Sequence, residues 1–198
     1  MSAALVQKRG LPPWPEIPAV YGWLALDGRG NWLLRDAYDS MRFQRVSSPA
    51  FNRYIASGYV SDAQGRWYFQ NGPQRVYVRL HRTPLVFRFE DEGWRDHCGQ
   101  PAGRITAAWL DEAGAVVLRG VRGAGVVDDR DLRFLADMLI NAGGGAVGLD
   151  SHGGGLLLRC KIHDKGQAEF LPLRPLRESS FERTLGFVAD PVRDPISR

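Results

Sequence analysis

The chain has 198 residues, of which 44% are hydrophobic and 24% are charged, and this balance excludes a disordered protein. Its formal net charge of +4 comes mainly from arginine, since only three of the 26 basic residues are lysines. The arginines are spread along the whole chain, whereas nucleic-acid binders concentrate positive charge on one face or segment, so we do not expect a nucleic-acid partner.

Cysteine usage and the absence of long apolar segments indicate a cytoplasmic protein. Prolines follow Lys8 and Arg9, where a secretory signal needs an apolar core. No segment approaches the roughly 20 apolar residues of a transmembrane helix. We therefore expect a cytoplasmic location, no membrane partner, and reduced thiols at Cys98 and Cys160.

The chain is predicted to begin with an irregular arm over residues 1–19. Pro12, Pro13, Pro15 and Pro18 disfavour a helix there and favour an extended chain.

A turn of the pattern Asp-x-x-Gly recurs between apolar segments. It occurs at residues 27–30, 62–65 and 111–114, with a shorter variant at residues 163–166. The Asp side chain caps backbone N–H groups and the Gly adopts the left-handed conformation, so each turn predicts a β-hairpin. One carboxylate per turn is too few ligands for calcium.

The first predicted helix follows Ser47 and Ser48, which can cap its N-terminus, and has Pro49 in its first turn. It ends near Gly58. Its apolar stripe consists of Phe51, Tyr54 and Ile55.

The second predicted helix begins at residues 128–131 and is terminated by the glycines at residues 143–145. Its apolar face carries Leu132, Leu135, Ala136 and Leu139.

An offset of 84 residues places Asp27 on Asp111 and Ser48 on Leu132, so the first hairpin and the helix of each half coincide. Each half then continues with strands, predicted at residues 75–81, 84–90, 156–162 and 167–173. The predicted fold is therefore α+β and strand-rich, with antiparallel hairpins, two main helices and a pattern-level internal duplication. The predicted units are the arm at 1–19, a first half at 20–95, a second half at 96–189 and a frayed tail at 190–198.

Residues 66–90 alternate between apolar and polar side chains. The alternation turns rings and aliphatic groups inward and displays arginine, tyrosine and glutamine on the other side of adjacent strands. Guanidinium groups pair with carboxylates or phosphates, so this outward face is predicted to bind an anionic ligand. The predicted ligand-binding residues are Tyr68, Gln70, Arg75, Tyr77, Arg79 and Arg88. The alternative is a solvated face whose arginines lie over tyrosines and pair with Glu90, Asp91 or Glu92.

The other candidate residues lack the spacing of a catalytic, cofactor or metal site. Asp150, Ser151 and His152 are adjacent, whereas triad residues come from distant segments. The glycines at residues 143–148 follow a helix C-terminus and lack the Lys-Ser or Lys-Thr pair of a phosphate-binding loop. No zinc-site spacing relates His97, Cys98, Cys160 and His163. We therefore predict no catalytic residue, no cofactor and no metal.

The segments at residues 67–78 and 21–27 carry the chain's most distinctive sequence. They resemble proteobacterial proteins of a domain-of-unknown-function family. The order of elements over residues 20–140 is similar to a second such family, with repeated strand-helix-strand motifs and a link to signal transduction. This resemblance implies the fold and brings no catalytic residues with it.

Three functions remain open from the sequence. The favoured one is a non-catalytic ligand-binding or regulatory protein, whose halves leave a cleft with the Arg/Tyr/Gln face as one wall. The second is a hydrolase that uses His97, His152 or His163. The third is a protein–protein adaptor or homo-oligomer that pairs exposed strand edges. The expected partner is thus an anionic small molecule or a protein.

Overall fold

The computed structural model describes residues 18–37, 40–90, 93–141, 155–161 and 168–193. Over these residues the protein is α+β, as predicted, with two sheets and short helices. None of the helices in these ranges is long and apolar enough to span a membrane.

The first sheet has six strands, and one helix lies between its third and fourth strands in the chain. Its elements are β1 (Val20–Leu26), β2 (Trp32–Arg35), β3 (Phe43–Arg45), α1 (Pro49–Ser57), β4 (Tyr59–Ser61), β5 (Trp67–Asn71) and β6 (Gln74–Leu80). The strand order is β3-β2-β1-β6-β5-β4, so β3 and β4 form the two edges.

The second sheet has eight strands. The remaining elements are β7 (Leu85–Glu90), β8 (Gly93–Asp96), β9 (Ala107–Leu110), β10 (Val116–Gly120), β11 (Gly123–Val127), α2 (Leu132–Ala136), β12 (Leu139–Ile140), β13 (Leu157–Lys161), β14 (Ala168–Pro175) and α3 (Phe181–Leu185). The strand order is β12-β13-β14-β9-β10-β11-β7-β8.

The strand pairing confirms the internal duplication. In the first sheet β6 returns parallel to β1, with Leu24 opposite Val78. In the second sheet β14 returns parallel to β9, with Ala108 opposite Leu173. Leu24 and Ala108 are 84 positions apart, which is the offset found in the sequence. Each repeat is therefore a hairpin, a third strand, a helix and three further strands, the last of which closes on the first.

The predicted division at residue 95 does not follow the sheets. The predicted first half, 20–95, contained the strand at residues 84–90, whereas β7 pairs parallel to β11 in the second sheet, with Leu85 opposite Gly125. This pairing joins segments about 40 residues apart, and a local alternation pattern carries no information on which sheet a strand enters.

The three predicted Asp-x-x-Gly turns in the described ranges are confirmed. At Asp27, Asp62 and Asp111, Oδ1 accepts two backbone N–H bonds of 2.7–3.0 Å. A fourth turn of the same kind, not predicted, begins at Asp96 and ends at Gly99, whose φ is +77°. The variant at residues 163–166 lies outside the described residues.

The helix α1 is confirmed, and the second predicted helix is shorter than expected. Ser48 Oγ accepts the N–H of Phe51 at 3.3 Å, and Ile55 is fully buried. In the second repeat α2 ends at Ala136, and Leu139 lies in β12 opposite Leu158. The residues predicted to form the last part of that helix instead form β12, which pairs with β13. The short helix α3 had no counterpart in the prediction.

Both sheets contribute to one hydrophobic core. Trp67 and Phe69 from the first sheet and Leu85 and Phe87 from the second are each 4% exposed or less. Between the sheets, the Tyr59 hydroxyl donates a hydrogen bond of 2.9 Å to the backbone oxygen of Pro84. The repeats therefore fold as one packed unit with outward faces left for other contacts.

Candidate functional site

The outward side of β5 and β6 carries the predicted arginines and tyrosines together. Tyr68 lies opposite Tyr77, and Gln70 opposite Arg75, in antiparallel register. Arg79 follows Tyr77 by two positions and shares its side of the strand. We call this surface the arginine–tyrosine face and define it as Arg66, Tyr68, Arg75, Tyr77 and Arg79, together with Tyr21.

Three tyrosine rings form a ladder across this face. The ring of Tyr21 stacks on that of Tyr77 with a centroid distance of 4.6 Å and an angle of 7°, and Tyr68 lies 5.6 Å from Tyr77. Tyr21 was not predicted as part of this face, because only the parallel pairing of β1 with β6 brings it beside Tyr77. Tyr77 is 2% exposed and Tyr68 is 9% exposed, so the rings are covered.

Arginine side chains supply part of that cover. The guanidinium carbon of Arg66 lies 5.0 Å from the ring centroid of Tyr77, and that of Arg75 lies 4.9 Å from the Tyr68 ring. Arg66 also pairs with Asp62 at 2.8 Å. The arginines thus lie over tyrosines, as the alternative prediction expected, but the acid is a turn residue.

The charges on the face stabilise one another. Burial raises the pKa of the Asp62 carboxyl. Hydrogen bonds and the positive charge of Arg66 lower it by a larger amount, so the net pKa lies below its usual value. A hydrogen bond with the Tyr77 hydroxyl raises the pKa of Arg75. Burial raises the pKa of Tyr77, so this phenol stays protonated at neutral pH. The face is therefore a fixed aromatic layer under cationic groups.

An open cavity of about 540 Å³ adjoins the face at Arg79, and we call it the outer cavity. Its lining residues are Leu33, Met41, Phe43, Arg79, Leu80 and His81. Arg79 pairs with Asp190 at 3.5 Å, and the two side chains are 39% and 58% exposed.

Two of the predicted ligand-binding residues are not part of the arginine–tyrosine face. Gln70 bonds the backbone oxygen of Gly72 at 2.6 Å within its own hairpin. Arg88 belongs to the second sheet, where it pairs with Asp131 at 3.2 Å, so its assignment to this face was wrong. The cause is again the pairing of β7 with β11.

His97 and Cys98 lie together in the fourth Asp-x-x-Gly turn. His97 Nδ1 accepts the N–H of Val86 at 3.3 Å, so the neutral ring carries its proton on Nε2, which lies 3.6 Å from Cys98 Sγ. Burial, with a smaller effect of Arg122, lowers the pKa of His97 to about 3. Burial raises the pKa of Cys98 to about 12. At neutral pH this pair is thus an imidazole and a thiol, which is the wrong charge state for a cysteine nucleophile.

The low pKa of His97 predicts an acid-sensitive stability. Below the unfolded pKa of about 6.5, the unfolded chain binds a proton that the folded chain excludes, so stability falls with pH down to the folded pKa. Between pH 7 and pH 5 we expect a loss of about 2 kcal/mol in the free energy of unfolding. Urea titrations should show this loss in the wild type and not in His97→Asn. The same loss in both proteins would contradict this role of His97. The control is His81→Asn, which replaces an exposed histidine.

Of the remaining candidate residues, only Cys160 lies in the described ranges. Burial raises the pKa of Cys160, in β13, to about 11. Within the described ranges, no three His, Cys, Asp or Glu side chains are arranged to hold a metal ion. The glycines at 143–148, the residues 150–152 and His163 lie outside the described residues.

The described residues define an α+β protein of two repeated sheets that carries a cation-rich aromatic face. The model of the family DUF2944, described as "Protein of unknown function (DUF2946)", matches residues 4–192, and the chain belongs to this family. The predicted resemblance to a domain-of-unknown-function family is thereby confirmed. A crystal structure of a DUF1285 family protein from Silicibacter pomeroyi DSS-3 is similar, with a TM-score of 0.47 and 16% identity over 79% of this chain and 80% of that chain. No curated protein matches the chain.

Proposed function

We propose that the chain is a non-catalytic ligand-binding or regulatory protein that binds an anion in the outer cavity. The observation that carries this proposal is the position of Arg79 in the wall of that cavity. Its ion pair with Asp190 is long and exposed, and such pairs contribute little to stability. An anionic ligand can therefore displace the Asp190 carboxylate from Arg79 at small cost.

The cavity walls indicate the rest of the ligand. Leu33, Met41 and Phe43 line it, and Met41 is 69% exposed. Apolar walls with one fixed cation suit an organic anion with an apolar portion better than an inorganic ion. Arg75 extends the positive charge along the face, since no carboxylate pairs with it in the described ranges. A ligand-dependent change at this face is the step through which a regulatory or signalling role would act.

The histidines of the described ranges favour binding over hydrolysis. A general base works best with a pKa near the operating pH, whereas the pKa of His97 is about 3. Its Nδ1 accepts a hydrogen bond from the backbone N–H of Val86, and among the described residues no carboxylate orients the ring. His81 is exposed and lines the outer cavity, and it has no carboxylate partner among the described residues.

A thermal-shift screen with organic phosphates, carboxylates and nucleotides tests the proposal. We expect at least one stabilising compound, whose affinity falls about tenfold in Arg79→Ala because a charge-assisted hydrogen bond is lost. The matched control is Arg174→Ala. Arg174 lies opposite Trp109 in the second repeat as Arg79 lies opposite Ala25 in the first, and Arg174 is exposed.

Affinity should be unchanged in Arg174→Ala. The proposal is wrong if no anion raises the melting temperature, or if every stabilising anion binds Arg79→Ala as tightly as the wild type.

A further inference from the structure

A second cavity, of about 340 Å³, lies where the first repeat meets the turn from Asp96 to Gly99, which follows β8 and is called the β8 turn below. We call this cavity the junction cavity. Two Asp-x-x-Gly turns approach each other at its base. A Cβ on Gly30 would lie 2.6 Å from the Cβ of His97, so only glycine permits this contact. The other walls come from α1 and from the residues that follow β3.

The charge of the junction cavity is entirely positive. Arg45, at the end of β3, and Arg53, on α1, line it, and no acidic residue does. Across the described residues neither guanidinium has a carboxylate partner, whereas eight other arginines do. Two arginines left without counter-charges beside a cavity favour the binding of an anion.

A buried amide oxygen of a residue that lines the same cavity lacks a donor. Asn52 Nδ2 donates to the backbone oxygen of Val46 at 3.2 Å, but Asn52 Oδ1 is buried and receives no hydrogen bond from the described residues. A buried acceptor without a donor costs about 1–3 kcal/mol. A bound molecule whose N–H or O–H group reaches this oxygen removes the cost.

We propose that the junction cavity is a second binding site, for a small organic anion that carries a hydrogen-bond donor on an apolar body. Arg45 and Arg53 bind the phosphate or carboxylate group, and Asn52 Oδ1 accepts from the donor. Trp32 and Val46, both buried, supply apolar wall. The volume is at the low end of the range for small-molecule sites, which excludes a dinucleotide or a peptide. This site is separate from the outer cavity and shares no lining residue with it.

Nuclear magnetic resonance with three matched probes tests this site. The probes are 4-hydroxyphenyl phosphate, 4-hydroxybenzoate and, as the neutral control, 4-hydroxybenzyl alcohol, so all three carry the same phenol donor, and the signal is the side-chain amide of Asn52. We expect an anion to shift this signal at concentrations up to about 10 mM, and 4-hydroxybenzyl alcohol to leave it unchanged because it lacks the charge. Whichever of 4-hydroxyphenyl phosphate and 4-hydroxybenzoate binds more tightly identifies the anionic group.

Variants then assign the site. Arg45→Ala and Arg53→Ala should each weaken binding about tenfold, and Arg42→Ala, an exposed arginine outside the cavity, should leave it within about twofold. Arg79→Ala should also leave it unchanged, which separates this site from the outer cavity. The proposal fails if neither anion shifts the Asn52 signal, if 4-hydroxybenzyl alcohol shifts it equally, or if the Arg45→Ala/Arg53→Ala protein binds as the wild type does.

Discussion

Replacing Asp96 with Asn should lower the free energy of unfolding by about 3 kcal/mol. Arg122 donates to Asp96 Oδ2 and, at 2.7 Å, to the backbone oxygen of Tyr59, so one guanidinium joins the β8 turn to the first sheet. The Asp96 side chain is 1% exposed. Asn keeps the carbonyl oxygen that accepts the turn's N–H groups but removes the charge, which leaves the Arg122 cation with no carboxylate partner.

The control for this change is Asp129→Asn. Asp129 pairs with an arginine of the first repeat, Arg29 at 2.6 Å, but the two side chains are 53% and 63% exposed. Its loss should change stability by no more than about 0.5 kcal/mol, because water screens the pair. Urea unfolding followed by tryptophan fluorescence measures both variants. Equal costs for the two would show that burial does not set the strength of the Asp96–Arg122 pair.

A double-mutant cycle separates this pair from other effects. Arg122→Met in the Asp96→Asn protein should cost less than Arg122→Met in the wild type, since the first change has already removed the ion pair. Additive costs would locate the effect of Asp96 in its turn and not in Arg122.

Replacing Gly65 with Ala should cost about 3 kcal/mol, against about 1 kcal/mol for Gly114→Ala. Both glycines end an Asp-x-x-Gly turn, with φ of +77° and +79°. A Cβ on Gly65 would lie 2.6 Å from the backbone oxygen of Gly186, whereas a Cβ on Gly114 would meet no atom within 4 Å. The shared part of the cost is left-handed backbone strain. The difference is the contact with the segment after α3.

That segment is held to the first sheet by main-chain hydrogen bonds. Val188 N–H donates to the Gly65 oxygen at 3.0 Å, and Leu80 N–H donates to the Ala189 oxygen at 2.7 Å. Hydrogen exchange should therefore show faster exchange at Val188 in Gly65→Ala than in Gly114→Ala. Similar unfolding free energies for the two variants, with equal protection at Val188, would contradict the steric explanation.

The arginine–tyrosine face shows which contacts strand periodicity predicts and which it does not. Alternation placed Tyr68, Arg75, Tyr77 and Arg79 on one side because neighbouring strands joined by a short turn keep a simple register. It failed at Arg88, because β7 leaves the first sheet and pairs with a strand of the second repeat. Sequence distance decides the difference, since local pairing depends on the turn between two strands and remote pairing depends on the packed core.

The junction cavity was beyond prediction for a related reason. Arg45, Asn52 and Arg53 follow no recognised spacing, and they acquire a common role only where α1 meets the β8 turn. One signal was available. The sequence from Asp96 to Gly99 repeats the turn pattern recognised elsewhere, and it would have placed His97 in a hairpin turn next to a strand.

The sequence by itself determined the α+β class, the Asp-x-x-Gly hairpins, the helix α1 and the duplication, because each depends on contacts between residues close in the chain or on the repetition of such contacts. Only the tertiary structure decided which sheet β7 joins, the stacking of Tyr21 on Tyr77, and the ion pair between Asp96 and Arg122. These contacts join residues 26 to 56 positions apart. They form because each sheet pairs strands that lie far apart in the chain, and side-chain chemistry alone does not specify which distant strands pair.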